Sequence, residues 1–293
     1  MVIKESISRK AFNWFNISVM LFLVLVTLYP MVHVAFASVS APARFMAHEG
    51  LMLKPLGFDL SAYQSVLKNP MVKTGYMNTI FIVTVGVSIN ILMTSLGAYV
   101  LSRKGVLWKN PIMFFIVFTM FFHGGLIPFF FTVKELKIDN TLWAMFIPNA
   151  INTFNLIIMR TAFAAIPDSL EESAKLDGAS HWTILFRIVL PLALPTVAVM
   201  ILYYGVAHWN AWFYAMIFLR KRELFPLQLV LREILIQNDT ASMSIGASTS
   251  DQEMIGETIK YAIIMVATVP ILALYPFLQK YFVKGVMVGA VKG

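Results

Sequence analysis

Apolar and polar positions alternate along this chain on a long wavelength. Six stretches are each apolar over roughly the 20 residues that a bilayer-crossing helix needs. They are Ala11 to Val39, Tyr76 to Leu101, Pro111 to Val133, Leu142 to Phe163, Leu192 to Leu219 and Ile259 to Val283. None carries a charge in its central part. Backbone groups cannot stay unpaired in hydrocarbon, so the pattern predicts six transmembrane helices and an all-α membrane protein. Two outer segments are long, Ser38 to Lys73 and Arg220 to Thr258, and the second holds a small-residue polar run from Asp239 to Ser250 that reads as loop. With no internal repeat and no soluble domain, residues 1–293 read as one transmembrane domain.

Composition agrees. The chain is 59% hydrophobic and 13% charged, against roughly 45–50% and 25% for soluble domains. Its net charge of +8 lies in short clusters between apolar runs, a membrane-flanking pattern that argues against nucleic acid as a partner. There is no cysteine, which excludes disulfides, thiol catalysis and Cys-based metal sites. The histidines (His33, His48, His123, His181, His208) show no metal-ligand spacing.

The first span follows Lys4, Arg9 and Lys10, and Ala35-Phe36-Ala37 imitates a cleavage site. The apolar run exceeds the roughly 7–15 residues of a signal-peptide core, so a retained helix is expected. The short loop Ser102 to Asn110 carries Arg103, Lys104 and Lys109. The positive-inside rule then places that loop, and both termini, in the cytoplasm. Gly124-Gly125 and Pro128 predict a disturbance of the third helix near its outer end.

Between the fourth and fifth spans lies a hydrophilic island, Ile166 to Ser180. Asp168 with Glu171 has capping-box spacing. Gly178 suits a helix C′ position with positive φ, and Ser180 suits an N-cap. The island reads as two short helices joined at Gly178, outside the membrane.

The island resembles the EAA loop of binding-protein-dependent ABC importers, whose pattern stands here as Glu172-Ser173-Ala174, Gly178 and Ile188-Val189-Leu190-Pro191. Ser173 replaces an alanine of that pattern, a small change. The resemblance extends over nearly the whole chain, through Gly75-Tyr76-Met77-Asn78-Thr79, Ala98 to Lys104, Gly124 to Pro128, Phe154 to Arg160, Trp209-Asn210-Ala211-Trp212 and Gln279 to Gly285. These are similar to the carbohydrate-uptake, MalG-like branch of that family, in the group related to the LplC and YtcP permeases. The group includes an alginate importer permease. The resemblance implies a MetI-like permease fold: a first helix over 11–39, a core over 72–283 with its EAA loop at 166–191, and a cytoplasmic tail over 284–293. It implies that Glu171, Glu172, Ser173, Ala174, Asp177 and Gly178 dock on a partner ATPase that binds ATP and magnesium. This chain would bind no cofactor itself. The implied complex holds a second permease, two ATPases and an extracytoplasmic solute-binding protein in a bacterial cytoplasmic membrane. The implied substrate is a carbohydrate, an oligosaccharide, with acidic oligouronates such as alginate among the candidates.

Two absences agree with an external motor. The sequence has no Gly-Lys dipeptide, so it holds no P-loop. The spans hold no central carboxylate for ion coupling. The alternatives are an ABC importer permease for another solute class and, from a different class, a motor-free membrane enzyme or receptor. An enzyme or receptor needs a cluster of catalytic acids, histidines or serines at the bilayer face, and none is seen.

Substrate-path candidates are uncharged polar groups within spans. Asn149, Asn152 and Asn155 recur at three-residue spacing, expected on one broad face of the fourth helix, and Asn90 falls at mid-depth of the second. The amides of Asn149 and Asn152 suit sugar hydroxyls as well as helix–helix hydrogen bonds worth about 0.6 kcal/mol each, and those of Asn155 and Asn90 suit the helix–helix role better. Trp209, Asn210, Trp212 and Tyr214 lie in the outer part of the fifth span. They suit sugar stacking or an interfacial aromatic belt.

Overall fold

A computed structural model describes residues 6–237 and 256–273, together with Pro276. Among these residues all regular structure is helical. They fall into two compact units, within Met1–Asn69 plus Glu233–Thr268 and within Pro70–Arg232 plus Val269–Gly293. The small-residue run at 239–250 and the tail at 284–293 lie outside the described residues.

In the first unit, the first predicted span is one helix, Ile7–Ser38, capped by the Ser6 hydroxyl. The outer segment after it folds back as two short helices, Pro42–Met46 and Ser61–Lys68. Ser38 and Tyr63 hydroxyls pair at 2.8 Å, and the Tyr29 hydroxyl accepts from the Met52 N–H at 3.0 Å. The ring of Tyr261 meets Phe45 edge-on at 5.2 Å. Tyr261 belongs to the helix Gly256–Ala273, the described part of the sixth predicted span.

The second unit is built around the helix Pro70–Ser102, which packs against Thr153–Ala164 and Leu194–Trp209. Ala98, Leu101, Leu156, Met159, Phe163, Ile184, Leu185, Val189, Val197 and Met200 are buried in one cluster among these elements.

Among the described residues three helices are long and apolar enough to cross a membrane: Ile7–Ser38, Pro70–Ser102 and Gly256–Ala273. Two bent pairs raise the number to five if each is one span. Three predicted spans are therefore corrected in form. The third breaks into Lys109–Phe121 and Leu126–Glu135, bent by 117°. Gly125 stands at the break with φ 85° and ψ 175°, a backbone region open essentially to glycine alone. The fourth is α-helical only in its last part, within the 12-residue helix Thr153–Ala164. A 3₁₀ turn, Leu142–Met145, and irregular chain through Asn152 precede it. Pro148 within that chain lacks an N–H, and the Asn152 side chain caps the new start by accepting from the Asn155 N–H at 3.1 Å. The fifth begins earlier than expected. His181–Leu192 runs as one helix, with a π turn at Leu185–Val189, and then bends by 86° into Leu194–Trp209. The second arm carries Pro195 in its first turn, which suits a helix start. It stops at Asn210, and Phe213–Phe218 follows as a separate short helix.

Candidate functional site

The hydrophilic island folds as the sequence pattern suggests, apart from its first cap. Asp168–Leu176 is a nine-residue helix whose N-cap position is Pro167, with no side-chain cap hydrogen bond. The capping box is therefore not formed, and Asp168 is the first helical residue. Cations on the neighbouring loop take both carboxylates instead. Lys104 pairs with Asp168, and Arg103 pairs with Glu171. Lys175, one turn on, also reaches Glu171 at 3.0 Å. Both carboxylates are thus turned toward side-chain cations rather than toward the backbone N–H groups of the first turn.

The helix ends in a Schellman motif. The Ala179 N–H donates to the Ala174 carbonyl at 2.9 Å, and the Gly178 N–H donates to the Lys175 carbonyl at 3.0 Å. Gly178 takes φ 79°, with open space around the place of a Cβ. Ser180 then caps the next helix, its hydroxyl accepting from the Thr183 N–H at 3.3 Å.

The two faces of this knuckle differ. Glu171 is buried, and Ala174 and Ala179 pack on the core cluster. Glu172, Ser173, Asp177 and Gly178 are exposed. Leu176 is 90% exposed, an apolar side chain at the tip of a polar helix. Its isolation among charged residues was the signal in the sequence, and it went unread.

Arg103 is the hub beneath the knuckle, a role that its place in a basic loop did not reveal. Besides Glu171, its guanidinium donates to the Phe163 carbonyl at 3.0 Å and to the Ser102 hydroxyl at 3.0 Å. It also lies over the Tyr99 ring at 5.1 Å. The Tyr99 hydroxyl and His181 Nδ1 pair at 2.9 Å. Arg160 donates to the Leu101 carbonyl at 3.0 Å. The ends of Pro70–Ser102 and Thr153–Ala164 are thus tied to both helices of the knuckle. Burial pushes the Glu171 carboxyl up, but the Lys175 and Arg103 hydrogen bonds and their charges together outweigh it. The carboxyl is held below its ordinary range. The Lys104 hydrogen bond likewise lowers Asp168, and Asp168 raises Lys104. A cavity of about 520 Å³ adjoins this cluster, lined by Leu96, Val100, Val106, Trp182 and Leu185 among others.

The asparagines are not brought together on one helical face, because two of the three lie in irregular chain. Asn149 and Asn152 are exposed there, and only Asn155 is helical and buried. Asn90 is fully buried and engaged within the protein. Its amide donates to the carbonyls of Asn149 at 3.0 Å and Ala150 at 2.9 Å. Its oxygen pairs with His208 Nε2 at 2.6 Å. Nearby, the Tyr204 hydroxyl accepts from the Asn152 N–H at 3.0 Å and meets Thr94 at 2.8 Å. Pro70–Ser102 and Leu194–Trp209 thereby supply the hydrogen bonds that the irregular stretch does not make to itself.

Trp209, Asn210 and Trp212 do cluster, at the break after Leu194–Trp209. Trp209 is half-buried with its ring edge-on to Tyr76 at 6.3 Å. Asn210 Oδ1 faces Gln228 Nε2 at 3.5 Å, and Trp212 carries the Arg232 guanidinium over its ring at 4.6 Å. Tyr214 instead stacks on Phe218 and meets Phe129 edge-on. Among the described residues there is no group of three or more acidic or histidine residues able to hold a metal ion.

Comparison with known proteins adds the context. The model of the family described as binding-protein-dependent transport system inner membrane component matches residues 81–288. The polygalacturonan/rhamnogalacturonan transport system permease protein YtcP of Bacillus subtilis (strain 168) is 38% identical over 290 residues, covering 97% of this chain and 99% of that protein. Protein LplC of the same organism is 38% identical, covering 92% and 90%. A chain from the crystal structure of a bacterial ABC transporter involved in the import of the acidic polysaccharide alginate superposes with a TM-score of 0.87. It is 32% identical and is covered in full by 96% of this chain.

Proposed function

Because the chain belongs to the binding-protein-dependent transport system inner membrane components, we infer that it is the permease subunit of an ABC importer for carbohydrates. The named roles of its relatives in polygalacturonan, rhamnogalacturonan and alginate transport support oligosaccharides, acidic ones included. The chain is a transport subunit rather than an enzyme. ATP and magnesium belong to two partner ATPases. A second permease and an extracytoplasmic solute-binding protein complete the assembly in a bacterial cytoplasmic membrane, with both termini of this chain cytoplasmic.

Six crossings follow if the three long helices, the two bent pairs and the stretch 142–164 each count as one. Irregular backbone at membrane depth is tolerated where it is buried in protein or lines a polar cavity. The carbonyls of Asn149 and Ala150, held by Asn90, meet the first condition. The exposed side chains of Asn149 and Asn152 suit the second.

The observation that carries the mechanism is the knuckle 166–192, exposed on one face and tied on the other through Glu171 and Arg103. ATPase closure would press on Glu172, Ser173, Leu176 and Asp177. Arg103 would pass that displacement to the ends of Pro70–Ser102 and Thr153–Ala164. The continuous helix His181–Leu192 would pass it to the 86° bend. Alternating access of the substrate path to the two sides of the membrane is the result. Gly178→Arg tests this. It adds a large side chain to the docking face at a position of positive φ. Membrane insertion should persist while substrate-stimulated ATP hydrolysis in the reconstituted complex is lost. Stimulated hydrolysis at the wild-type rate would overturn the docking role.

A further inference from the structure

The break after Leu194–Trp209 holds a guanidinium whose contacts among the described residues leave most of its hydrogen-bonding capacity unused. Arg232 is half-buried on the helix Leu227–Gln237. One face of its guanidinium is covered by Trp212 at 4.6 Å. Its Nη1 meets the thioether of Met216 at 3.2 Å, and a thioether is a weak acceptor for one of five N–H donors. Among the described residues Arg232 forms no ion pair. Gln228, one helical turn earlier, lies on the same face and reaches Asn210 at 3.5 Å. The 210–212 turn therefore meets one helix face at two points, an amide pair and a stacked cation.

We propose that Arg232, Trp212, Asn210 and Gln228 form an outer subsite for a sugar residue bearing a carboxylate. The proposal rests on the carbohydrate-permease reading above. A planar guanidinium fork matches a carboxylate in two parallel hydrogen bonds. The Trp212 ring fixes the fork in place through a cation–π contact. The two amides supply donors and acceptors for ring hydroxyls. A neutral sugar would need the amides and the ring but would leave the cation without a counter-charge. The subsite therefore selects uronates.

The test uses vesicles carrying the complete importer with its binding protein, and two probes that share a backbone. One is an oligogalacturonate with free carboxylates, and the other is its methyl-esterified counterpart. The measured quantity is the ratio of their uptake rates. The binding protein is the same in every sample, so its own preference cancels when variant and wild type are compared. For Arg232→Gln, the charged-to-esterified ratio should fall by about tenfold or more, the scale of one lost charged hydrogen bond. Arg232→Lys keeps the charge and loses the fork, so its ratio should recover only in part. It also carries the test if Arg232→Gln fails to assemble. An unchanged ratio, or an equal fall for both probes, would overturn the proposal and leave Arg232 a packing residue. Wild-type uptake of the esterified probe alone would also overturn it while the carbohydrate reading stood. Wild-type uptake of neither probe would sink both.

Discussion

Lys109–Glu135 and His181–Trp209 are both apolar helices broken by a sharp bend, of 117° and 86°. In the two arms of the first, Val133 is the one buried residue, against Ala144 and Phe218, whereas the second bend is packed. Ile184, Leu185, Val189, Ala193, Val197 and Met200, on both sides of it, are buried in one cluster with Phe163. The helix Lys109–Phe121 has no buried residue, and Phe114, Phe115, Phe121 and Phe122 lie exposed around its length and end. One bend turns on a glycine; the other starts its second arm with Pro195 and is enclosed by its neighbours. A packed interior deforms little and transmits strain, so the enclosed bend suits force transmission from the knuckle. The glycine bend presents aromatic surface instead.

The largest expected effect breaks this contrast at its root. Phe163→Ala removes a ring with no exposure from the packed cluster, where such a deletion costs about 3–5 kcal/mol. Phe114→Ala removes the same atoms from a residue that is 65% exposed, where the change should stay within about 0.5 kcal/mol. Thermal unfolding of the detergent-solubilised full chain compares them directly. Equal losses would erase the distinction between the two bends.

Two adjacent glutamates sharpen the contrast at the knuckle. Glu171→Gln replaces the carboxylate that Arg103 and Lys175 share, and should cost about 1–3 kcal/mol, the range for hydrogen bonds to charged groups. Glu172→Gln changes only the exposed face and should leave the unfolding midpoint in place while weakening stimulated ATP hydrolysis. The pH dependence follows from the lowered Glu171 carboxyl. A carboxyl titrating lower in the folded chain binds fewer protons there than in the unfolded chain. Its stabilisation is therefore complete above the ordinary value of 4.5 and is lost as pH falls through the lower folded value. Unfolding midpoints measured from pH 6 to pH 3 should fall more steeply for wild type than for Glu171→Gln. Parallel curves would mean that the ion pair adds nothing.

What was legible in the sequence divides along the same line. The helix Asp168–Leu176, the positive φ of Gly178 and the Ser180 cap follow from local backbone chemistry, and local chemistry is written in consecutive residues. The break at Gly124-Gly125 is local too, although its 117° angle was not readable. The capping box failed because its competitors, Lys104 and Arg103, lie more than sixty residues earlier. The fourth span misled for a related reason. Apolar length signals burial in lipid, but the irregular chain before Thr153 is held by Asn90 and Tyr204 from other helices. Hydropathy carries no trace of that support. The pairing of Arg232 with Trp212 was equally hidden, since a long-range contact leaves no periodicity.

The smallest effects concern two glycines that share a positive φ and differ in setting. Gly125 and Gly178 take φ values of 85° and 79°, and neither has an atom near enough to obstruct a methyl group. Replacement by alanine therefore costs backbone strain and nothing else. For Gly178→Ala that is about 1–2 kcal/mol, the penalty of a left-handed conformation for an L-residue. Gly105 is as open, with no positive φ, so Gly105→Ala should be neutral in the same unfolding measurement. The functional readouts then separate. The Gly178 strain falls within the Schellman turn that sets the knuckle's direction, so Gly178→Ala should lower the ratio of stimulated to unstimulated ATP hydrolysis. Gly178→Asn should restore much of it, because asparagine tolerates this conformation. Gly125→Ala strains a bend whose first arm holds no buried residue and should leave that ratio alone. If Gly125→Ala uncoupled hydrolysis as strongly as Gly178→Ala, the loose bend would belong to the transmission path. Packing would then be the wrong criterion for tracing how force moves through this subunit.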